Sequence, residues 1–424
     1  MKKFTVHATQ DPESSYFDRQ ERIEWWDQER LQNASVMVVG AGAIGNETLK
    51  NLALLGVGNI FIADFDTIST SNLSRTVLFR KGDEGKKKAE VAAERVRELA
   101  LSDTVNVDWY HGDVVWEFGT GMFREMDLVL GCLDNVETRI ALGRQCKLAN
   151  TPWIDSGIFE LGLRVNFYDP EKIPCYYCGT SPNQRTAARQ RYSCDDFKKE
   201  VYAEGKVPTT QIASAIVSAI QVQEAVKFLC GQPVSAGKQI YFQGKMNDFE
   251  VFDMPAMAEC KTENDCCYVG SYPKIKALEL SSEATLREFL TLVSQPEYSG
   301  EGATLDFRGD RTFVKSIACR CSERKTLEMM RPSFRIYDSE TICAPCRAEG
   351  KTLDTLDESP QQETLKITLD EFSLEKTEAD VLNMSLHELG VPFLHIVAVQ
   401  KQNGDYTYYQ LNGDKAVIFP QMSR

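Results

Sequence analysis

A glycine-rich turn and the polar residues that follow it suggest the first chemistry that this chain could do. Gly40, Gly42 and Gly45 form the pattern G-x-G-x-x-G between an apolar predicted strand and a predicted helix. Glycines permit a tight turn at this point and let backbone N–H groups at the helix N-terminus approach a phosphate group. The next predicted strand ends at Asp64, which is placed to accept hydrogen bonds from ribose hydroxyls. The pattern therefore predicts a nucleotide site.

Further charged residues favour one kind of nucleotide chemistry. Asp66, Asn72 and Arg75 follow the strand that ends at Asp64, and Lys88 lies on the next predicted helix. A triphosphate carries several negative charges that fixed cations and a metal ion must offset. Asp134, after a later strand, offers hard oxygen ligands for Mg²⁺. Since strand ends in such a sheet converge on one crevice, these residues favour phosphate transfer from ATP over hydride transfer.

Strands and helices alternate in the region that carries these residues. The apolar pattern predicts strands at 36–39, 59–63, 105–110, 128–132 and 152–154, and helices at 47–55, 85–100 and 136–149. A long helix near 210–229 and an antiparallel hairpin at 239–243 and 248–252 follow. This order predicts an α/β, Rossmann-like fold with a doubly wound, mostly parallel sheet and an antiparallel hairpin.

Changes of composition along the chain predict a division into three regions. Residues 1–35 are expected to form an N-terminal helical arm, with a helix near 17–31. Residues 36–272 form the ATP-binding domain, which a polar crossover segment at 171–210 interrupts. Residues 273–424 form a smaller α+β domain with strands at 303–307, 313–317 and 394–399 and a helix at 379–389.

The overall composition indicates which classes of binding partner and which cellular compartment to expect. A net charge of −14 repels nucleic acids and anionic membranes, so neither is expected as a main partner. No run approaches the roughly 18 uninterrupted apolar residues that a membrane span needs, and the N-terminus does not resemble a secretory signal. We therefore expect a cytoplasmic protein. There, its 13 cysteines more often indicate metal or thiol chemistry than disulfides.

Four segments resemble the adenylation domain of the ubiquitin-activating enzyme superfamily. They are GAGAIG, DFDTISTSNLSR, GKKKAEVA and CLDNVETR. The superfamily includes bacterial adenylyltransferases that activate sulfur-carrier proteins for molybdopterin and thiamine synthesis. The likeness runs in order through residues 14–255, more than half of the chain. It implies that 36–272 is an adenylation domain.

The resemblance implies a role for each residue of the predicted site. Asp64 binds ribose; Asn72, Arg75 and Lys88 contact phosphates; and Asp134 holds Mg²⁺. Of three consecutive lysines, Lys88 aligns with the motif lysine, because it directly precedes Ala89, and Lys86 and Lys87 are expected at the surface. The implied reaction is attack by the C-terminal glycine carboxylate of a ubiquitin-like protein on the α-phosphate of ATP.

Near the N-terminus, YFDRQ resembles the arginine motif of the family. In the family an arginine from one protomer reaches the ATP site of the other protomer. Arg19 takes that place here, so the resemblance implies a homodimer. An ordinary surface arginine on a helix is the alternative.

Two groups of cysteines have the spacing of metal ligands. Cys175 and Cys178 form C-x-x-C, a spacing that lets two thiolates bind one metal ion. In the family a second pair past the hairpin completes this site. Cys260 with Cys266 takes that role here, with Cys267 as the rival ligand, although the family usually shows C-x-x-C there.

The second group lies in the C-terminal region and resembles a zinc ribbon. Cys319 and Cys321 form a C-x-C pair, and Cys343 and Cys346 form a C-x-x-C pair. Zinc accepts a tetrahedral shell of four thiolates. Reduced buried thiols, or one zinc shared by the two C-x-x-C pairs of the chain, are the alternatives.

Cys194 is the candidate catalytic cysteine. It has no partner at metal spacing, and Arg185, Arg189 and Arg191 precede it closely, which favours a thiolate. The neighbouring residues Asp195 and Asp196 oppose that effect. In relatives, a cysteine of this crossover segment attacks the acyl-adenylate and forms a thioester.

Two versions of the activating function remain open. One is conjugation of a ubiquitin-like modifier with the help of a conjugating enzyme, which the large C-terminal region favours. The other is activation of a sulfur-carrier protein. A nicotinamide-dependent oxidoreductase would leave Asn72, Arg75, Lys88 and Asp134 unexplained, and a non-catalytic scaffold would not need every ATP-site position filled.

Overall fold

The computed structural model describes residues 15–102, 105–172, 174–181, 183–184, 209–255, 272–308, 311–321, 323–352, 356 and 366–422. Within them an eight-stranded sheet has the order β3-β2-β1-β4-β5-β6-β7-β8. Its strands are β1 Ser35–Val39, β2 Asn59–Ala63, β3 Asn106–Tyr110, β4 Leu128–Gly131, β5 Trp153–Phe159, β6 Gly162–Tyr168, β7 Lys238–Gln243 and β8 Asp248–Asp253. The first five strands pair in parallel, and β6, β7 and β8 continue the sheet in antiparallel pairing.

Helices cover both faces of this sheet. They are α1 Asp18–Glu21, α2 Gln28–Asn33, α3 Ala43–Leu55, α4 Lys88–Leu99, α5 Thr120–Arg124, α6 Val136–Ala149 and α7 Gln211–Leu229. In β1, Val36 and Val38 pack in one apolar cluster with α3, α4 and α7, whereas Met37 and Val39 pack in a second cluster with α5 and α6. Because successive strand residues point to opposite faces, a continuous apolar strand such as β1 must lie between two layers of helices.

The C-terminal region forms two further sheets. A five-stranded sheet has the order β14-β10-β15-β16-β9, and a three-stranded antiparallel sheet has the order β12-β11-β13. The strands are β9 Lys276–Leu278, β10 Thr304–Asp306, β11 Phe313–Ala318, β12 Thr326–Pro332, β13 Lys366–Leu369, β14 Glu371–Phe372, β15 Ile396–Gln400 and β16 Tyr406–Leu411. The helices are α8 Leu286–Val293, α9 Ala344–Ala348, α10 Ala379–Leu382 and α11 Lys415–Ile418.

The predicted fold class is confirmed, including the parallel sheet and the antiparallel hairpin β7–β8. Two predicted helices are wrong in extent. Two short helices, α1 and α2, replace the single helix expected at 17–31. The Asp27 side chain accepts a hydrogen bond from the Arg30 N–H (3.0 Å) and thereby caps the start of a separate helix, α2. The helix expected at 379–389 ends at Leu382. Further along, the Leu386 N–H donates instead to the carbonyl of Ala284 (2.9 Å).

One described helix, α7, is long and apolar enough to cross a membrane by length and composition alone. Half of its most apolar window is buried in the protein. Val217, Val222 and Ala225 lie in the same apolar cluster as Val165 of β6 and Ile240 of β7. Packing against the sheet therefore accounts for the hydropathy of this helix.

The end of the chain packs into the eight-stranded sheet. The Phe419 ring meets Phe61 of β2 edge to face, with 5.1 Å between the ring centroids. The Asp108 carboxylate of β3 accepts hydrogen bonds from the backbone N–H groups of Gln421 (3.1 Å) and Met422 (2.9 Å). These contacts join residues on both sides of the predicted domain boundary at 272/273. The boundary itself remains a prediction.

We expect Phe419→Ala to lower the free energy of unfolding by about 3–5 kcal/mol, because it removes a buried ring from this core. Val417→Ala, two residues earlier and 67% exposed, is the matched control and should change it by less than about 0.5 kcal/mol. Denaturant unfolding followed by tryptophan fluorescence measures both values. Equal stability of the two variants would contradict the packing described here.

Candidate functional site

The glycine-rich turn closes tightly between β1 and α3. Gly40 has a φ of +96°, a conformation that favours glycine, and its N–H donates to the Ala63 carbonyl (2.8 Å). A Cβ on Gly45 would lie 1.9 Å from the carbonyl oxygen of Gly40. A Cβ on Gly42, directly before α3, would meet no atom within 4 Å. Gly40 and Gly45 therefore serve the packing of the turn, while Gly42 borders open space at the helix N-terminus.

Asp64 is tied to the same turn. Its carboxylate accepts hydrogen bonds from the backbone N–H groups of Ala41 (2.6 Å) and Asp66 (2.7 Å). Burial raises the pKa of the Asp64 carboxyl above its ordinary value, and the Lys88 ammonium opposes this rise. The side chain thus lies between the glycine turn and the Lys88 ammonium, directly after β2, where dinucleotide-binding sheets carry the acidic residue that contacts ribose.

The structure distinguishes the three consecutive lysines. The Lys88 side chain is only 10% exposed, and its Nζ lies 2.7 Å from Oδ2 of Asp66. The Lys86 side chain is 54% exposed and pairs with Asp83, three residues earlier (2.9 Å). Lys87 is also exposed and lies over the Trp109 ring. Of the three, Lys88 alone is held beside Asp64.

Asn72 and Arg75 lie on the loop between β2 and α4. The Asn72 side-chain oxygen accepts a hydrogen bond from the Ser69 N–H (2.9 Å), and the Arg75 guanidinium donates to the Ser71 carbonyl (2.6 Å). Within the described part of the chain, no hydrogen bond or ion pair links either side chain to Asp64. The structure therefore places both on the loop that borders the site but does not bring them into contact with it.

Asp134 follows β4, and its side chain is exposed. Its Oδ1 accepts a hydrogen bond from the amide of Asn135 (3.2 Å), which in turn caps α6 by accepting from the Thr138 N–H (2.8 Å). Mg²⁺ prefers carboxylate oxygens and water as ligands, and an exposed carboxylate at a strand end can offer the first while leaving room for the second. Asp134 is the residue that would hold this ion.

A buried ion pair near Asp134 was missed by sequence reasoning. The Arg139 guanidinium donates to the Asp155 carboxylate of β5 (2.8 Å), to the Ser156 carbonyl (3.0 Å) and to the carbonyl of Leu133. Arg139 thereby ties the loop that carries Asp134 to β5. The arginine of CLDNVETR was the available signal, but its burial and its partner depend on the tertiary fold.

The strand order brings these residues to one edge of the sheet. β1 pairs with β2 on one side and with β4 on the other, all in parallel. Gly40, Asp64 and Asp134 follow the C-terminal ends of these three neighbouring strands. Nucleotides bind at such a switch point in open α/β sheets. Arg19 is exposed on α1, and its predicted role in a dimer remains a prediction.

Cys175 and Cys178 lie close together, with 3.7 Å between their sulfur atoms. Two thiolates on one tetrahedral zinc ion, with Zn–S bonds of about 2.3 Å, are separated by about 3.8 Å, so this pair fits zinc. Its predicted partners Cys260 and Cys266, the rival Cys267 and the candidate nucleophile Cys194 lie outside the described residues. In the C-terminal region, Cys319, Cys321, Cys343 and Cys346 gather with all four sulfur atoms within 4.8 Å of one another.

Comparison with known proteins agrees with this geometry. The sequence model of the ThiF family matches residues 17–268, more than half of the chain. The chain belongs to the ThiF family. Membership confirms the family expected from the sequence motifs, and the match includes Gly40, Asp64, Lys88 and Asp134. The second cysteine cluster lies beyond it.

The chain is similar to proteins of several kinds. SUMO-activating enzyme subunit 2 of Dictyostelium discoideum is 42% identical over 151 residues, which cover 35% of this chain and 22% of the relative. Adenylyltransferase and sulfurtransferase MOCS3 of Culex quinquefasciatus is 26% identical over 303 residues, which cover 67% of this chain and 65% of the relative. A solved structure of MccB from E. coli has a TM-score of 0.49 and 22% identity, covering 63% of this chain and 76% of that one. The chain thus spans less than two thirds of the length of these two curated relatives.

We expect Gly42→Ala to fold with an unchanged melting temperature, because its Cβ meets no protein atom. The added methyl group would occupy the space where phosphate is expected, so the Kd for ATP should rise about tenfold or more, or ~1.4 kcal/mol. Gly45→Ala is the contrasting variant and should lower the melting temperature or prevent folding. Calorimetric titration and thermal unfolding measure these effects. Wild-type ATP affinity in Gly42→Ala would contradict the proposed position of the phosphates.

Proposed function

We propose that this protein uses ATP to adenylate the C-terminal glycine carboxylate of a ubiquitin-like protein. The observation that carries the proposal is the buried Lys88 beside Asp64, at the strand edge that also carries Asp134. A cation held in this position serves a triphosphate. Hydride transfer to a dinucleotide would not require it. Membership of the ThiF family and the similarity to relatives named as activating enzymes support the same reaction.

The proposed first step is a displacement at phosphorus. A carboxylate oxygen of the substrate forms a bond to the α-phosphorus of ATP, and the bond from that phosphorus to the bridging oxygen breaks. Pyrophosphate leaves with the electron pair, and an acyl-adenylate remains. The substrate carboxylate is the nucleophile, so the protein needs to supply only position and charge.

Each residue has a separate task in this step. Asp64 accepts from the ribose hydroxyls, and the N–H groups at the start of α3 bind the phosphates. Lys88 exchanges part of its interaction with Asp66 for the phosphate oxygens, while Arg75 approaches from the β2–α4 loop. Mg²⁺, which Asp134 would hold, supplies further positive charge to the phosphates when bound.

A second step would transfer the acyl group to a cysteine. The Cys194 thiolate would attack the acyl carbon, form a thioester and release AMP. The modifier would then pass to a conjugating enzyme, and a homodimer completed by Arg19 would bind the ATP. The alternative is activation of a sulfur carrier, which the long alignment with the Culex adenylyltransferase and sulfurtransferase favours.

ATP–pyrophosphate exchange tests the first step. The exchange should depend on an added ubiquitin-like protein with a C-terminal glycine and on Mg²⁺. Lys88→Met should reduce the exchange rate by a factor on the order of 10²–10³, because a cation on the transferring group is lost. Lys86→Met is the matched control and should stay within about twofold of wild type, because Lys86 lies at the surface. An equal loss in both variants would contradict the proposed site.

The fate of the adenylate distinguishes conjugation from sulfur transfer. If Cys194 forms the thioester, Cys194→Ser should retain exchange. It should lose the thiol-sensitive adduct between enzyme and ubiquitin-like protein, which a denaturing gel detects. The serine variant should then form an ester that resists thiols, because an oxygen replaces the sulfur. A thiol-sensitive adduct that persists in Cys194→Ser would reject this assignment. Conversion of the substrate carboxylate to a thiocarboxylate, by contrast, would favour the sulfur-carrier version.

A further inference from the structure

The four clustered cysteines of the C-terminal region lie on two neighbouring elements. Cys319 directly follows β11, and Cys321 lies in the turn that leads to β12. Cys343 directly precedes α9, and Cys346 lies within that helix. Twenty-one residues separate the two pairs, yet the fold brings all four sulfur atoms within 4.8 Å of one another.

The distances distinguish a metal site from disulfide bonds. The sulfur atoms of Cys321 and Cys343 are 3.8 Å apart, and no described cysteine forms a disulfide. A disulfide would need about 2.05 Å between its sulfur atoms. Two thiolates on one tetrahedral zinc ion lie about 3.8 Å apart, given Zn–S bonds of about 2.3 Å. The observed separation of Cys321 and Cys343 is therefore that of two ligands of a single ion.

The surroundings of the cluster suit four thiolates and a divalent cation. The backbone N–H of Cys343 donates to the sulfur of Cys319 (3.3 Å), a contact that stabilises negative charge on a ligating sulfur. Lys325 and Lys351 lie near enough to interact electrostatically with the thiols. Each of these ammonium groups also forms an ion pair with a glutamate carboxylate, so the backbone N–H of Cys343 is a direct donor to the cluster.

The apolar core directly around the cysteines is small, whereas the other end of the hairpin packs into a larger core through Phe313 and Met330. In the part of the chain that the structure describes, Ile342 is the one buried residue of the core around the cysteines, besides the cysteines themselves. Leu327 and Leu356 pack against it. A core of this size buries little apolar surface, and small modules of this kind usually need a metal ion or a disulfide to fold. Zinc binding supplies that free energy directly, since the site does not exist in the unfolded chain.

The β11–β12 hairpin, which carries Cys319 and Cys321 at one end, is flanked at its other end by residues that contact the segment between β3 and α5. Directly before β11, the buried Arg311 donates to the carbonyls of Trp116 (3.0 Å) and Gly390 (2.6 Å). Past β12, the Phe334 ring stacks on the Trp116 indole, with 4.8 Å between ring centroids and 3° between ring planes. Both contacts lie at the end of the β11–β12 hairpin opposite the cysteines.

We propose that Cys319, Cys321, Cys343 and Cys346 bind one structural zinc ion. The ion fixes the hairpin β11–β12 against α9 and thereby holds Arg311 and Phe334 in place against Trp116. This zinc site is separate from the pair Cys175 and Cys178, and it takes no part in the adenylation chemistry proposed above.

The test measures bound zinc in the full chain, purified under reducing conditions without chelator. Cys343→Ser/Cys346→Ser should contain one zinc equivalent less per chain than wild type. Cys230→Ser is the matched control and should lose none, because Cys230 lies at the end of α7, outside both groups. Unchanged zinc in the double variant would overturn the proposal, as would iron in place of zinc.

A second measurement avoids the risk that the double variant fails to fold. On the Cys175→Ser/Cys178→Ser background, Co²⁺ added to the metal-depleted chain should bind with one equivalent and show the absorption of a tetrahedral four-thiolate site. Restoring the metal should also slow proteolysis between residues 311 and 352. Absence of the thiolate absorption would overturn the proposal. Neither readout uses ATP–pyrophosphate exchange, so the zinc site and the adenylation function can fail independently.

Discussion

The position of β1 between two parallel neighbours is the constraint on which the candidate nucleotide site depends. Backbone hydrogen bonds fix β1 to β2 and to β4 in register, so the chain leaves all three strands at the same edge of the sheet. Gly40, Asp64 and Asp134 reach this edge from three separate stretches of sequence. The turn after β1 then closes so tightly that α3 can start only with a glycine at position 45. Loss of this pairing would separate the glycine-rich turn from both carboxylates.

A buried polar network holds the strand ends to the helices that cover them. The Gln221 amide on α7 donates to the carbonyls of Gly131 (3.2 Å) and Ile154 (3.0 Å) and accepts from the hydroxyl of Thr48 on α3 (3.2 Å). Such a network is strong in a low-dielectric interior only when every member is satisfied. Cys132 belongs to it, and burial raises the pKa of its thiol to about 12. Cys132 therefore stays protonated and is unsuited to the nucleophilic role that Cys194 is proposed to play.

Contacts between the two halves of the chain are more extensive than the composition suggested. Burial lowers the pKa of His395 well below its ordinary value, so its neutral ring accepts a hydrogen bond from the Thr120 N–H (3.3 Å). Phe419 and Arg311 likewise contact residues of the ThiF-family half, Phe61 and Trp116. The C-terminal region is thus placed to influence the position of the segment between β3 and α5, which a loosely tethered domain could not do.

The sequence by itself determined the α/β class, the glycine turn, Asp64, the family and the spacing of both cysteine groups. These features depend on local periodicity and on residue types whose chemistry is independent of context. The resemblance to the family motif also singled out Lys88 among three adjacent lysines, and the structure adds the ion pair with Asp66 that accompanies its burial. The sequence could not reveal the Arg139–Asp155 pair or the contacts of Phe419, since these join residues from distant segments. Only the tertiary structure decided them, because burial and pairing arise when separate elements pack together.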